Sequence, residues 1–165
     1  MNFPSLIRIK ILARLSGQLL DQRFAPLGLN DTKVKTLSAL THHSPLTATE
    51  LLPWTEVEKA SLTGLLLSLE REGLIMREPH PTDGRAVLLS ITDKGHEIQK
   101  KAIEALKKAN EELCSALTSE ETEELERLCG LLFARFKEMG IGHHRERRSK
   151  DLLHSDRNRK TINDN

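Results

Sequence analysis

The first chemistry on offer lies between residues 59 and 68. Lys59, Ser61, Thr63, Gly64 and Ser68 are short or basic, and their spacing sets them apart from a run of leucines. Small side chains on one helix face suit close approach to base edges in a major groove. An ordinary solvent-facing helix presents the same residues. A second constellation is Asp83 and Arg85, an acid and a base two apart beside the turn-forming run His80-Pro81-Thr82-Asp83-Gly84. Alone, that pair carries no meaning; its setting decides. His42-His43 and His143-His144 invite a metal, but neither pair has a cysteine or carboxylate at ligand spacing. Solvated histidines, no metal and no cofactor are expected. Cys114 and Cys129 fall within helical patterns, and buried packing is expected of both. No nucleophile elbow, phosphate-binding glycine loop or metalloprotease motif occurs, so catalysis is not expected.

The elements that position these residues are legible from periodicity. Leu62, Leu65, Leu66 and Leu69 recur at i, i+3, i+4 and i+7, the apolar stripe of a helix over about 59–72, with Gly73 as its stop. Leu74, Ile75 and Met76 lead into one strand, and Val87, Leu88, Leu89 and Ile91 form the returning one. Thr92 suits the N-cap of the next helix, over about 93–117. Upstream, residues 5–24 read as a helix with Ser5, after Pro4, as its candidate cap, and Asn30 or Asp31 caps a second through about His43. Thr47 or Thr49 opens a short third helix, which Pro53-Trp54 breaks early. Glu58 stands at the cap of the leucine helix and is a poor cap. Thr118 and Glu121 form a capping box ahead of a last helix that carries Leu125, Leu128, Leu131, Leu132 and Phe136 and ends near Gly140.

A leucine helix followed by a two-stranded ribbon with a polar tip has the layout of a winged helix. LEREGLIMR followed by DGRAVLLSITDKG resembles the signature of the MarR family of bacterial transcription regulators, including its SlyA-like members. The matching positions are Leu69, Glu70, Gly73 and Leu74, then Asp83 and Arg85, then Thr92 and Gly95. The similarity runs from about residue 24 to residue 106. It implies a mainly α fold with a small β-hairpin wing (α+β), a winged helix-turn-helix flanked by N- and C-terminal dimerisation helices. One MarR-like domain would span 1–140. Its winged lobe would lie at 30–92 and its dimerisation helices at 5–24 and 98–138, with a basic mobile tail at 141–165.

The resemblance also implies roles. Lys59, Ser61, Thr63, Gly64 and Ser68 would face double-stranded DNA. Arg85 would enter the minor groove, where narrow A·T tracts concentrate negative potential, and Asp83 would orient it through an ion pair. Most relatives have arginine where this chain has Gly64, so sequence preference is expected to differ. The function implied is a homodimeric, sequence-specific transcriptional repressor on a pseudo-palindromic operator. Relatives often bind small aromatic anions between the two lobes, which adds such a ligand to the expected partners. Two rivals stand beside it: a winged-helix interaction module with weak DNA binding that modulates another regulator, and a cysteine- or ligand-responsive sensor.

Composition bounds these readings. With 3% aromatic residues, no Tyr and one Trp, the chain lacks the stacking groups of a single-strand nucleic-acid platform. Net charge is +1, and residues 140–165 hold seven Lys/Arg against four Asp/Glu. The rest is therefore slightly acidic, and any DNA-binding surface must arise from local clustering. No apolar run of 18 residues, no secretory signal and only two cysteines point to a cytoplasmic protein without a membrane partner. Residues 143–165 offer no apolar periodicity and are expected to be dispensable for folding.

Overall fold

A computed structural model describes residues 4–55 and 57–141. In chain order they form α1 (Ser5–Phe24), a short 3-10 turn, α2 (Asp31–His43), β1 (Leu46–Thr47), α3 (Ala48–Thr55), α4 (Lys59–Arg71), β2 (Ile75–Pro79), β3 (Val87–Ile91), α5 (Asp93–Cys114) and α6 (Ser119–Glu138). The fold is mainly helical with one small antiparallel sheet, as expected of a winged helix. The chain divides into two units, one ending at Cys114 and one beginning at Ser115. The expected basic tail and the His143-His144 pair fall almost wholly outside the described residues.

In the first unit the core is one apolar cluster. Leu37 and Leu40 of α2, Leu51 of α3, Leu62, Leu66 and Leu69 of α4, and Leu89 of β3 are all buried in it. The i, i+3, i+4, i+7 stripe of α4 is therefore its inner face, with Leu65 packed at the margin. Ala102 of α5 and Phe24 at the end of α1 belong to the same cluster. Burial of a leucine side chain contributes about 1.5–3 kcal/mol, so this stripe holds α4 against α2 and α3.

The sheet has the order β1-β3-β2. β2 and β3 pair from Ile75 opposite Ile91 to Pro79 opposite Val87. The two-residue β1 adds a third strand, Leu46 opposite Leu89 and Thr47 opposite Leu88. Sequence reading had only a two-stranded ribbon, because two residues carry no period.

Local chemistry sets most helix ends. The Asn30 side chain accepts from the Lys33 amide at 2.9 Å, so Asn30 is the α2 cap. Thr118 and Glu121 form the expected capping box. Glu58 makes no side-chain cap bond. The expected Ser5 cap is corrected: Ser5 is the first residue of α1, and the cap position is Pro4, whose side chain has no group to bond the helix amides. Two further expectations are corrected. Pro53 lies inside α3, which continues to Thr55. Leu51 and Thr55, four apart, are both buried, and the Thr55 hydroxyl donates to the Leu52 carbonyl at 3.0 Å. This anchoring outweighs the one backbone bond that Pro53 forfeits. α5 also stops at Cys114 rather than 117, ahead of the turn that leads to Thr118.

Candidate nucleic-acid interface

The outward side of α4 lies opposite its buried leucines. At 3.6 residues per turn, Ala60, Gly64, Leu67 and Arg71 line its centre, with Lys59 and Thr63 along one flank and Ser61 and Ser68 along the other. Lys59, Ala60, Ser61, Thr63, Gly64, Leu67 and Arg71 are all exposed. Leu67 is 48% exposed, a large apolar residue in the middle of a solvent face. Around Gly64 nothing lies within 4 Å of where a Cβ would stand. Leu67 and Arg71 escaped sequence reading. A signal existed: in the run Leu65-Leu66-Leu67, successive residues turn by about 100°, so one of the three must face outward.

Ser68 is placed differently from its neighbours. Its hydroxyl donates to Glu72 Oε1 at 2.7 Å, and Lys33 Nζ donates to the same oxygen at 2.6 Å. Lys33 also reaches the Gly28 carbonyl, and Lys94 Nζ donates to the Glu72 carbonyl at 2.7 Å. Gly73 follows with φ 71°, the left-handed conformation that lets the Leu74 amide return to the Leu69 carbonyl. This cluster clamps the C-terminal end of α4 between the starts of α2 and α5. Burial raises the Glu72 carboxyl's pKa, but the bonds from Lys33 and Ser68 outweigh it and hold it below the ordinary glutamate range.

The hairpin tip is ordered by its own side chains. His80 Nδ1 accepts from the amides of Thr82 and Asp83, at 3.3 and 3.1 Å. Asp83 Oδ1 accepts from the Arg85 backbone amide at 3.0 Å. Asp83 thus fixes the backbone that carries Arg85, whereas the resemblance implied an ion pair with its guanidinium. That guanidinium is exposed and has no bonding partner among the described residues. Farther down the ribbon, Arg77 pairs with Glu70 of α4 at 2.7 Å, tying wing to helix.

The wing base is locked to α5. Thr92 Oγ1 donates to the Gly73 carbonyl at 2.7 Å and accepts from the Gly95 amide at 3.0 Å. The Thr92 amide donates to the Leu74 carbonyl at 3.1 Å. Gly95 is buried so tightly that a Cβ there would stand 2.2 Å from the Leu74 carbonyl oxygen.

A helix pinned at its end, with an open outer face beside a ribbon tipped by a free arginine, is a winged helix-turn-helix. Residues 29–87 match the MarR family. An uncharacterized HTH-type transcriptional regulator of Mycobacterium bovis is 32% identical over 125 residues, covering 73% of this chain and 84% of that one. The chain belongs to the MarR family. Among solved structures, apo wild-type MarR of E. coli has a TM-score of 0.72 at 26% identity, covering 80% of this chain and 98% of that one. A cysteine-to-serine mutant of E. coli MarR, crystallised with operator DNA, has a TM-score of 0.65 at 27% identity, covering 75% and 89%. The HTH-type transcriptional repressor YetL of Bacillus subtilis is 33% identical over 86 residues, covering 51% of this chain and 52% of that one.

The remaining candidates separate. His43 stacks on Trp54 with ring centroids 4.6 Å apart, while His42 is exposed. Among the described residues no cluster of three or more His, Cys, Asp or Glu could hold a metal ion. The cysteine expectation is corrected: Cys114 is half-buried and Cys129 is exposed. Cys114 is the last residue of α5, and Cys129 lies on α6, which has no buried residue in the single chain. No helix among the described residues is long and apolar enough to cross a membrane.

Proposed function

We propose that this MarR-family regulator binds double-stranded DNA sequence-specifically as a homodimer and represses transcription by occluding a promoter. The observation that carries the reading is the pairing of an open α4 face with the exposed, unengaged Arg85 guanidinium at the wing tip. In this reading α4 enters the major groove, with Lys59, Ser61, Thr63 and Gly64 toward bases or phosphates. Arg85 reaches the adjacent minor groove, held by the backbone turn that Asp83 closes. Ser68 acts indirectly, through the Glu72 clamp that sets the pose of α4.

The dimer reading rests on apolar surface. α1 exposes Leu6 and Leu12, and α6 exposes Leu131 and Phe133, each more than half accessible. Two-fold pairing of chains would bury such faces isologously. Within the expected 98–138 segment, Ala102 and Ala109 of α5 are already buried in the single chain, while Ile103, Leu113, Leu117 and the apolar residues of α6 stay exposed for the partner. Two copies then read half-sites centred about one helical turn, roughly 10 bp, apart. The operator complex of the E. coli relative supports DNA as the partner.

A mobility-shift titration of genomic fragments at two salt concentrations tests the proposal. Sequence-selective shifts that weaken steeply with salt are the expected result. Salt-insensitive or absent shifts would instead favour a protein-interaction module.

A further inference from the structure

The α4 face proposed above to meet DNA has a charge pattern of its own. Its cations stand at the ends, Lys59 on the first helical residue and Arg71 on the last. Both are exposed, and neither side chain has a bonding partner among the described residues. Twelve residues at about 1.5 Å each separate them by roughly 18 Å. A helix of that length laid along the major groove brings both terminal cations close to flanking phosphates. Between them the centre line of the face, Ala60, Gly64 and Leu67, is apolar, with the Ser61 and Thr63 hydroxyls on its flanks. Ala60, Thr63 and Leu67 present methyl groups on one strip roughly 10 Å long, about three base steps. Gly64 beside them leaves open space, which lets the backbone lie close to the base edges.

The centre line of Ala60, Gly64 and Leu67 has no donor, and the single hydroxyls of Ser61 and Thr63 cannot make the bidentate contact that singles out guanine. What such a face can recognise is the one apolar group on the major-groove edge, the C5 methyl of thymine. Resting on the DNA-binding reading, we propose that the protein reads each half-site through thymine methyl groups packed against Leu67, with Ala60 and Thr63 extending the contact. Leu67 is the specificity-determining residue. Its exposure in the single chain is explained by this occupant, because the flanking cations select a polyanion rather than an apolar protein surface.

The test uses the full chain and a pool of random-sequence duplexes. Rounds of selection should enrich sites with runs of thymine in each half. The best duplex is then made with uracil replacing thymine, which deletes only the methyl groups. Each contacted methyl removed should weaken binding about fourfold, the equivalent of about 0.8 kcal/mol. Leu67→Ala should bind the thymine duplex more weakly and lose most of the thymine-over-uracil preference. Gly64→Arg should redirect selection toward guanine. Equal affinity of the parent protein for thymine and uracil duplexes would overturn the proposal while leaving DNA binding intact. So would an undiminished preference in Leu67→Ala. Failure to enrich any duplex would instead defeat the DNA-binding reading and this one with it.

Discussion

Replacing Gly95 by alanine and replacing Gly64 by alanine are the same chemical change on two helices, and they should act in opposite directions. At Gly95 the new Cβ would stand 2.2 Å from the Leu74 carbonyl oxygen and 2.6 Å from Ile91 Cγ1. Ordinary carbon contacts lie at about 3.5–4.0 Å, so the junction of wing and α5 must open by roughly 1 Å. Overpacking of this kind costs about 1–3 kcal/mol. The displaced Leu74 carbonyl also accepts the Thr92 amide, and weakening that bond costs about 1 kcal/mol more. Alanine's better helix propensity returns about 1 kcal/mol. The net loss is about 1–3 kcal/mol, or a melting temperature lower by roughly 2–12 °C for a chain of this size. At Gly64 nothing lies within 4 Å of the added methyl. Only the propensity gain remains, about 1 kcal/mol, so this variant should melt roughly 2–4 °C higher. Calorimetry at one fixed protein concentration measures both, since dimerisation couples stability to concentration. If Gly95→Ala melts at or above the parent, the close approach of α5 to the wing base described here is wrong.

Three further outcomes are expected. Arg85→Ala should keep the circular dichroism of the parent yet lose about 1–3 kcal/mol of duplex affinity by fluorescence anisotropy; parental affinity across a salt series would remove the wing from the interface. Paired Leu128→Glu and Leu131→Glu substitutions should leave α6 helical but yield a monomer by sedimentation, whereas an undisturbed dimer would place the interface elsewhere. The lowered pKa of Glu72 implies that its contribution to stability is full above the ordinary carboxylate range, about pH 4.3, and is lost as pH falls through its lower folded value. Glu72→Gln should therefore melt below the parent at neutral pH, with the gap closing on acidification; a gap independent of pH would contradict the clamp.

Local signals carried most of the architecture. The leucines of α4 were readable because a 3.6-residue period marks an inner face whatever it packs against. The Thr118–Glu121 box and the turn at residues 80–84 were readable because their groups lie within a few residues of one another. The wing signature, Asp83 to Gly95, pointed to the family for the same reason: its residues serve one short piece of backbone. What stayed hidden depends on contacts between distant segments. β1 exists only because Leu46 meets Leu89 across the sheet. α3 continues through Pro53 because Leu51 and Thr55 are buried. Ser68 shares an outward flank with Ser61 on a helical wheel, but Lys33, 39 positions before Glu72, draws the Glu72 carboxylate it binds into a clamp. Asp83 holds the backbone of Arg85 rather than its guanidinium because the turn brings the amide within 3.0 Å. Leu67 lay outside the i, i+3, i+4, i+7 stripe and had no role in it; the packing of Leu62, Leu66 and Leu69 decided which side of α4 was inside and left Leu67 outside. Periodicity says that a helix has two faces; only the tertiary structure says what each face is left to meet.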